Sequence, residues 1–275
     1  LSLHDALPIL TSNIDNAYNE FGFSSRIKDK LKTKIITNEY IKELDIKLIN
    51  VRMPPNFNKR AYYNNVNYAK KISKCGEVQL SLKTLRTMDY KYYNQFQKRF
   101  LAFSVIKSVQ LMLRVRKKSL KNCCIVVYDA CDMINNNIIE ELAKYSKYIV
   151  LLSSDLVKVR KLSDYIMASY GVSPIVTNDE IYAAKIADFI ILSKNHEFGC
   201  GNLVWFLDNS MNKQQNIIAV NDVSYNVPWN INETDLSIEL VGSILCQMQE
   251  NDIEKALKYN DIHLKEIKFN NNVIG

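Results

Sequence analysis

Glycine is scarce in this chain: only seven occur among 275 residues, and none lies in the segment 129–134. Because glycine-rich loops let a backbone approach a phosphate closely, this absence excludes the standard phosphate loop at that segment. Long apolar runs are also missing, and none approaches the roughly 18 residues that would cross a bilayer. The six cysteines show no Cys-x-x-Cys spacing, which excludes the usual zinc and redox motifs and indicates reduced thiols in a cytoplasmic protein.

Short apolar runs alternate with amphipathic segments through the second half of the chain. The predicted strands cover 125–128, 148–152, 174–176, 189–192, 203–207 and 217–220. The predicted helices between them cover 136–145, 156–170 and 180–187. Near-continuous apolar strands are typical of a parallel sheet that is covered on both faces. We therefore predict an α/β fold built on a doubly wound parallel sheet, with segment 129–134 as its first strand-to-helix turn.

Charge divides the chain in two. Up to Lys121 there are 24 Lys and Arg against 9 Asp and Glu, whereas the remainder has 12 against 20. The apolar pattern of the first half predicts a strand at 46–51 and helices at 61–72 and 93–116, which indicates a smaller α/β domain. The predicted domains are a basic N-terminal α/β domain with a connecting helix at 10–118, a Rossmann-like domain at 119–235 and a C-terminal helical segment at 236–275.

The first nine residues suggest an artificial origin. Residues 2–9 read Ser-Leu-His-Asp-Ala-Leu-Pro-Ile, which is the translation of the end of a common sequencing adapter. The chain also opens without a methionine. We predict that residues 1–9 are an artefact and that the natural protein, whose Lys-, Asn- and Ile-rich composition is typical of an AT-rich bacterial genome, is truncated. Residues 1–9 are left out of the fold prediction.

Several strings in this chain resemble those of shikimate dehydrogenases. The family's Val-x-Asp-x-x-Tyr-x-Pro, Gly-Met-Leu-x-x-Gln and Asn-Val-Thr-x-Pro-x-Lys segments are similar to the strings at 220–228, 242–247 and 50–54. The turn 129–134 and the string at 153–162 also resemble, more loosely, those of glutamyl-tRNA reductases. The order of a small α/β domain, a connecting helix, a Rossmann domain and a closing helix is likewise similar to that of shikimate dehydrogenases.

The resemblance implies an oxidoreductase that uses NAD or NADP and binds a small carboxylate-bearing molecule in an interdomain cleft. It implies Lys59 as the catalytic base, Asp89 as its partner and Gln247 as a substrate contact. The implied cofactor-binding residues follow the first two strands of the Rossmann-like domain and are Asp129, Ala130, Cys131, Asp132, Met133, Ser153, Ser154 and Asp155.

The departures from the family's pattern favour a different reading. The family's lysine lies two residues after the proline, whereas Lys59 lies further along, and Ser154 replaces the arginine that would read a 2′-phosphate. Asp129 places a carboxylate near the helix N-terminus, where it would occupy the N–H groups that bind phosphate, and Cys131 adds a side chain on the phosphate path. We predict that dinucleotide binding is weakened or lost while the fold is retained.

Other polar residues after the strands have simpler explanations. His196, Glu197 and Cys200 with Cys131 are residue types that bind metals, but no ligand spacing supports a metal site and none is expected. Asp155 and Asp179 are predicted N-caps of the helices that follow them.

Two functional hypotheses remain open. The first is an active NAD(P)-dependent oxidoreductase acting on a small carboxylate-bearing metabolite, and the second is a descendant of such an enzyme without its standard chemistry. The basic half allows an anionic partner such as RNA, but no nucleic-acid motif accompanies the charge, so neither a nucleic-acid nor a membrane partner is expected. A homo-oligomer stays open.

Overall fold

The computed structural model describes residues 6–12, 16–74, 80–194, 196, 203–208, 217–231, 236–248 and 250–274. The chain forms two compact units, and each unit is made of two separate segments. The first unit contains Leu1–Gln97 and Tyr225–Leu264, and the second contains Lys98–Ser224 and Lys265–Gly275. The domain boundaries expected from charge and composition stay a prediction.

A four-stranded sheet lies in the first unit, with the order β2-β3-β1-β4. Strand β1 is parallel to β3 and β4, whereas β2 is antiparallel to β3 and forms an edge. The elements that build this part of the unit are β1 (Ala6–Thr11), α1 (Phe23–Lys32), β2 (Lys34–Ile41), β3 (Ile46–Arg52), α2 (Lys59–Ile72), β4 (Ser81–Lys83) and α3 (Arg86–Asp89).

The segment that was left out of the fold prediction has a place in this sheet. Strand β1 begins at Ala6, and Leu7, Ile9 and Leu10 are buried in the core. Apolar and polar residues do not alternate along this strand, as is typical of a central parallel strand that is covered on both faces. The adapter origin of residues 1–9 stays a prediction about how the sequence arose.

The second unit contains a six-stranded, all-parallel sheet with the order β10-β9-β8-β5-β6-β7. The helices and strands of this part of the chain are α4 (Gln95–Val115), β5 (Cys124–Tyr128), α5 (Met133–Ala143), β6 (Tyr148–Leu152), α6 (Leu156–Tyr170), β7 (Ile175–Thr177), α7 (Glu180–Ile186), β8 (Phe189–Leu192), β9 (Leu203–Phe206) and β10 (Ile218–Val220). Strands β5, β6, β8 and β9 consist almost entirely of buried apolar residues, as the sequence predicted. The doubly wound α/β fold is confirmed.

The C-terminal part of the chain differs from the helical segment that was expected. It contains β11 (Asp222–Asn226), β12 (Leu236–Ser237), α8 (Ile238–Leu245), α9 (Ile253–Tyr259), β13 (His263–Phe269) and β14 (Asn272–Val273). Strand β13 lies between β11 and β14. Its sequence His-Leu-Lys-Glu-Ile-Lys-Phe mixes charged and apolar residues, which is why no buried strand was predicted there. In the described ranges, none of the helices has the length and apolar character that crossing a bilayer requires.

Candidate functional site

The second unit's sheet has a point at which its winding reverses direction. From β5 the chain proceeds through β6 to β7 on one side and then returns to place β8 on the other side of β5. This is the strand order 3-2-1-4-5-6 of Rossmann folds, in which ligands bind in the crevice outside the carboxyl ends of the strands at the reversal. We call the space outside the carboxyl ends of β5 and β8 the switch-point crevice.

The turn that follows β5 uses its backbone groups within the protein. Asp129 has a φ of 51°, which is the left-handed conformation that a fingerprint glycine would supply. The Ala130 amide donates to the Leu152 carbonyl at 3.0 Å, and the Asp132 amide donates to the Asp129 carbonyl at 2.8 Å. The Ile134 amide donates to the carboxylate of Asp132, which is the N-cap of α5. Three of the turn's backbone donors, the amides of Ala130, Asp132 and Ile134, therefore already have partners within the protein.

The sequence led us to expect that the Asp129 carboxylate would occupy the N–H groups at the start of α5. Instead, it pairs with the Lys194 ammonium group just after β8. The N-cap of α5 is Asp132, which directly precedes the helix. This ion pair raises the pKa of Lys194, which keeps the lysine charged. Asp129 and Lys194 thus join the ends of β5 and β8 across the switch-point crevice.

A buried asparagine reinforces this connection. The Asn135 side-chain amide donates to the carbonyls of Tyr128 and Asp129 at 3.1 and 2.9 Å, and to the Ser193 hydroxyl at 3.2 Å. Asn135 is fully buried. One side chain on α5 therefore holds the end of β5 and the residue after β8 together.

The second predicted cofactor segment lies beside the first. The Cys131 thiol donates to the Asp155 carbonyl at 3.7 Å, so the turns after β5 and β6 are in contact. Asp155 caps α6 through the Lys158 amide, and Asp179 caps α7 through the Tyr182 amide, as predicted. Ser154 and Met133 are exposed. The roles of these residues, and of Ala130 and Ser153, in cofactor binding stay predictions.

A polar cluster that was not predicted from the sequence lies at the same edge of the sheet. The Tyr128 hydroxyl donates to Glu180 at 3.0 Å and lies 3.2 Å from Nδ1 of His196. The His196 Nε2 atom lies 3.2 Å from Glu180, and its ring stacks on Tyr128 with 4.5 Å between centroids. Burial, followed by Glu180, raises the pKa of Tyr128 to about 12. The only sequence signal was that each residue stands at or just after a strand end.

Metal binding finds no support among the described residues, where no group of three His, Cys, Asp or Glu side chains is placed to hold an ion. Two of the residues weighed for such a site, Glu197 and Cys200, lie outside the described residues.

In the first unit, Asp89 is a completely buried carboxyl group. It accepts hydrogen bonds from the Thr84 amide at 3.1 Å, from the Thr84 hydroxyl at 2.8 Å and from the Tyr62 hydroxyl. Burial outweighs these donors and raises the pKa of Asp89 to about 7. The same burial, together with the Asp89 charge, raises the pKa of Tyr62. Asp89 is therefore enclosed by neutral donors.

The other two residues implied by the resemblance make no hydrogen bond or ion pair with Asp89 in the described part of the chain. Lys59 is exposed at the start of α2 and makes no ion pair in the described part of the chain. The Gln247 side-chain amide donates to the Ser243 carbonyl at 3.1 Å, at the end of α8. The roles of Lys59, Asp89 and Gln247 stay predictions.

The residue two positions after Pro54 is Asn56, which is completely buried. Its amide nitrogen donates to the Asp29 carboxylate at 2.9 Å and to the Glu20 carbonyl at 2.9 Å. Its amide oxygen accepts from the backbone amides of Glu20 and Asn58, each at 3.2 Å. Asn56 therefore makes four hydrogen bonds inside the unit.

The strand order and the switch-point crevice define the second unit as a Rossmann-like fold. No protein-family model matches the chain, and no curated protein is similar to it in sequence. Among solved structures, the chain is similar to the ligand-free form of 5-ketofructose reductase of Gluconobacter sp. strain CHM43. The two share 12% identity over 75% of this chain and 80% of the reductase, with a TM-score of 0.35. A likeness this loose carries no functional argument, so the fold assignment rests on the topology.

Proposed function

We propose that this protein retains the architecture of a shikimate-dehydrogenase-like oxidoreductase but binds NAD or NADP weakly, or not at all, and has lost the standard dehydrogenase chemistry. The observation that carries the proposal is the ion pair of Asp129 with Lys194 across the switch-point crevice. It lies where a dinucleotide's pyrophosphate would enter in the usual pose.

The charge and the hydrogen bonds of the turn support weak binding. A pyrophosphate needs free N–H groups and a positive field at the helix N-terminus. Here Asp129 and Asp132 supply two carboxylates, and the amides of Ala130, Asp132 and Ile134 already have partners. A phosphate would have to displace Asp129 from Lys194 and face both carboxylates. The residues present therefore do not fit a pyrophosphate in that pose.

The chemistry of Asn56 supports the loss of catalysis. The resemblance places the catalytic lysine two residues after the proline, and Asn56 stands there. An amide side chain cannot serve as a general base, and this one is buried with all its hydrogen bonds made within the unit. Asp89, the implied partner, is equally withdrawn from solvent.

Thermal unfolding with and without millimolar NAD, NADH, NADP and NADPH tests the proposal. We expect no shift for the natural chain, whereas a ligand held at 100 times its dissociation constant would add about 2.7 kcal/mol and raise the Tm by a few degrees. The double variant Asp129→Gly with Cys131→Gly frees Lys194 and clears the phosphate path, so we expect it to gain a shift.

The matched control is Asp252→Gly, which changes the N-cap aspartate of α9 in the first unit. It should bind no better than the natural chain. A clear shift of the natural chain with any one cofactor would contradict the proposal directly.

The alternative is an active NAD(P)-dependent oxidoreductase acting on a small carboxylate-bearing metabolite. One feature favours it: the Lys194 side chain is 63% exposed, so its ammonium group is accessible to a phosphate that replaces Asp129. A cofactor-dependent Tm shift that disappears in Lys194→Gln would support this alternative.

A further inference from the structure

Helix α1 carries its large apolar side chains on the outside of the first unit. Phe23, Ile27 and Leu31 are spaced four residues apart, which places them along one face of the helix. They are 82%, 47% and 71% exposed. An amphipathic helix ordinarily turns such a stripe toward the core, so this face of α1 is the unusual one.

The polar face of α1 is held inside the unit by a hydrogen-bond network. Asp29 is buried and accepts from the Tyr18 hydroxyl at 2.5 Å, from the Asn56 amide at 2.9 Å and from the Asn65 amide at 3.0 Å. Thr33, at the end of the helix, donates its hydroxyl to the Asp29 carbonyl. These contacts fix the rotation of α1 about its axis. The apolar stripe therefore faces outward because the opposite face of the helix is held inside the unit.

Basic side chains border the stripe on both sides. Helical geometry places Arg26 and Lys30 along one border and Lys28 along the other, with Lys32 further round the helix on the Lys28 side, and all four are exposed. Only Lys28 has an acidic partner in the described part of the chain, which is Glu20 at 3.6 Å. The others lie over aromatic rings: Arg26 over Phe21 at 5.2 Å, Lys30 over Tyr68 at 5.7 Å and Lys32 over Tyr18 at 4.8 Å.

We propose that α1 docks on the surface of an anionic lipid bilayer. Phe23, Ile27 and Leu31 enter the boundary of headgroups and acyl chains, and the bordering cations contact the anionic headgroups. An apolar stripe bordered by Lys and Arg is the arrangement of helices that lie in a membrane interface. The inference does not depend on the proposed function, and it replaces the expectation of no membrane partner with attachment to a membrane surface.

Charge disfavours the other occupants. A second copy seated on this face would bring two sets of the same cations together, and like charges repel. Nucleic acid would suit the cations, but two of the three stripe residues, Ile27 and Leu31, are aliphatic and offer no ring on which a base can stack.

Sedimentation with vesicles tests the proposal. The full chain should bind vesicles of phosphatidylcholine with about one third phosphatidylglycerol, remain unbound with phosphatidylcholine alone, and dissociate as salt rises. Phe23→Ser with Leu31→Ser should weaken binding at least about tenfold through lost apolar burial. Lys30→Gln should weaken it about fivefold. The matched controls are Ile181→Ser, an apolar residue 84% exposed on α7, and Lys161→Gln on α6, and neither should change binding.

Circular dichroism establishes that each variant is folded, which is expected because the changed side chains are exposed. Equal sedimentation with both vesicle types, or unchanged binding by the double serine variant, would overturn the proposal. It would also be overturned by light scattering that showed a dimer in the natural chain and a monomer in the double serine variant, because a second copy would then cover the stripe.

Discussion

Two ion pairs, one in each unit, use similar chemistry in opposite surroundings. Arg86 and Glu239 lie 2.8 Å apart with side chains only 3% and 5% exposed, and they join positions that are distant along the chain. Lys194 and Asp129 pair at the edge of a sheet, with the lysine largely exposed. The first pair is part of the interior of its unit, whereas the second can exchange partners with solvent or a ligand. Burial therefore separates a structural pair from one that can form a site.

The largest effect is expected for Arg86→Met. This change leaves the Glu239 carboxylate buried without its partner, which typically costs about 3–5 kcal/mol. Urea unfolding should show a lower midpoint by a corresponding amount. The double variant Arg86→Met with Glu239→Met should recover most of the loss, because both buried charges are then removed. A double variant as unstable as the single one would show that packing around Arg86, and not its charge, is what matters.

The second prediction concerns Asp89 and pH. Because the pKa of Asp89 is raised to about 7 in the folded protein, the folded state keeps a proton that the unfolded state releases near pH 4. The free energy of unfolding should therefore fall as pH rises from about 4 to about 7, by about 2–4 kcal/mol from this group.

Chemical unfolding across this pH range, compared between the natural chain and Asp89→Asn, isolates the contribution of Asp89. The variant is less stable overall but should lack this part of the decline, since asparagine does not titrate. Parallel pH curves for the two proteins would refute the assignment of the decline to Asp89.

A smaller effect is expected for the N-cap of α5. Asp132→Ala removes the acceptor of the Ile134 amide and should cost about 1 kcal/mol. Asp132→Asn keeps an oxygen acceptor and should cost less than half of that. Thermal or urea unfolding of the two variants provides the comparison, and equal losses would mean that the charge of Asp132, and not its cap, is responsible.

The smallest effect is expected for Lys194→Gln, because exposed ion pairs contribute about 0–1 kcal/mol. Its midpoint in urea should stay within about that range of the natural chain, while Arg86→Met falls far outside it. A loss as large as that of Arg86→Met would remove the distinction between the two pairs.

The sequence predicted the strands and helices of the second unit well, because short apolar strands alternate along the chain with amphipathic helices and polar segments mark the boundaries. Asp155 and Asp179 were also predicted correctly as caps, since capping is a local property. The pairing of Asp129 with Lys194 was not predicted, because it requires β5 and β8 to be neighbours although 60 or so residues separate them.

Helix α1 marks a second limit of sequence reasoning. The spacing of Phe23, Ile27 and Leu31 reveals an apolar stripe, but periodicity alone does not say which way a stripe faces. That choice was decided by Asp29, whose partners Tyr18, Asn56 and Asn65 come from other segments. The strand β13 was missed for a related reason: its charged residues resemble a helix surface until its neighbours are known.

The backbone at Asp129 has one consequence for the history and redesign of this turn. Its φ of 51° is the conformation that glycine adopts freely and that aspartate tolerates better than most residues. Aspartate and glycine codons differ by a single base, so one point mutation could place a glycine there without requiring the chain to be rebuilt. At this position the molecule therefore already has the backbone conformation that a fingerprint glycine would adopt, and a single base change supplies the glycine itself.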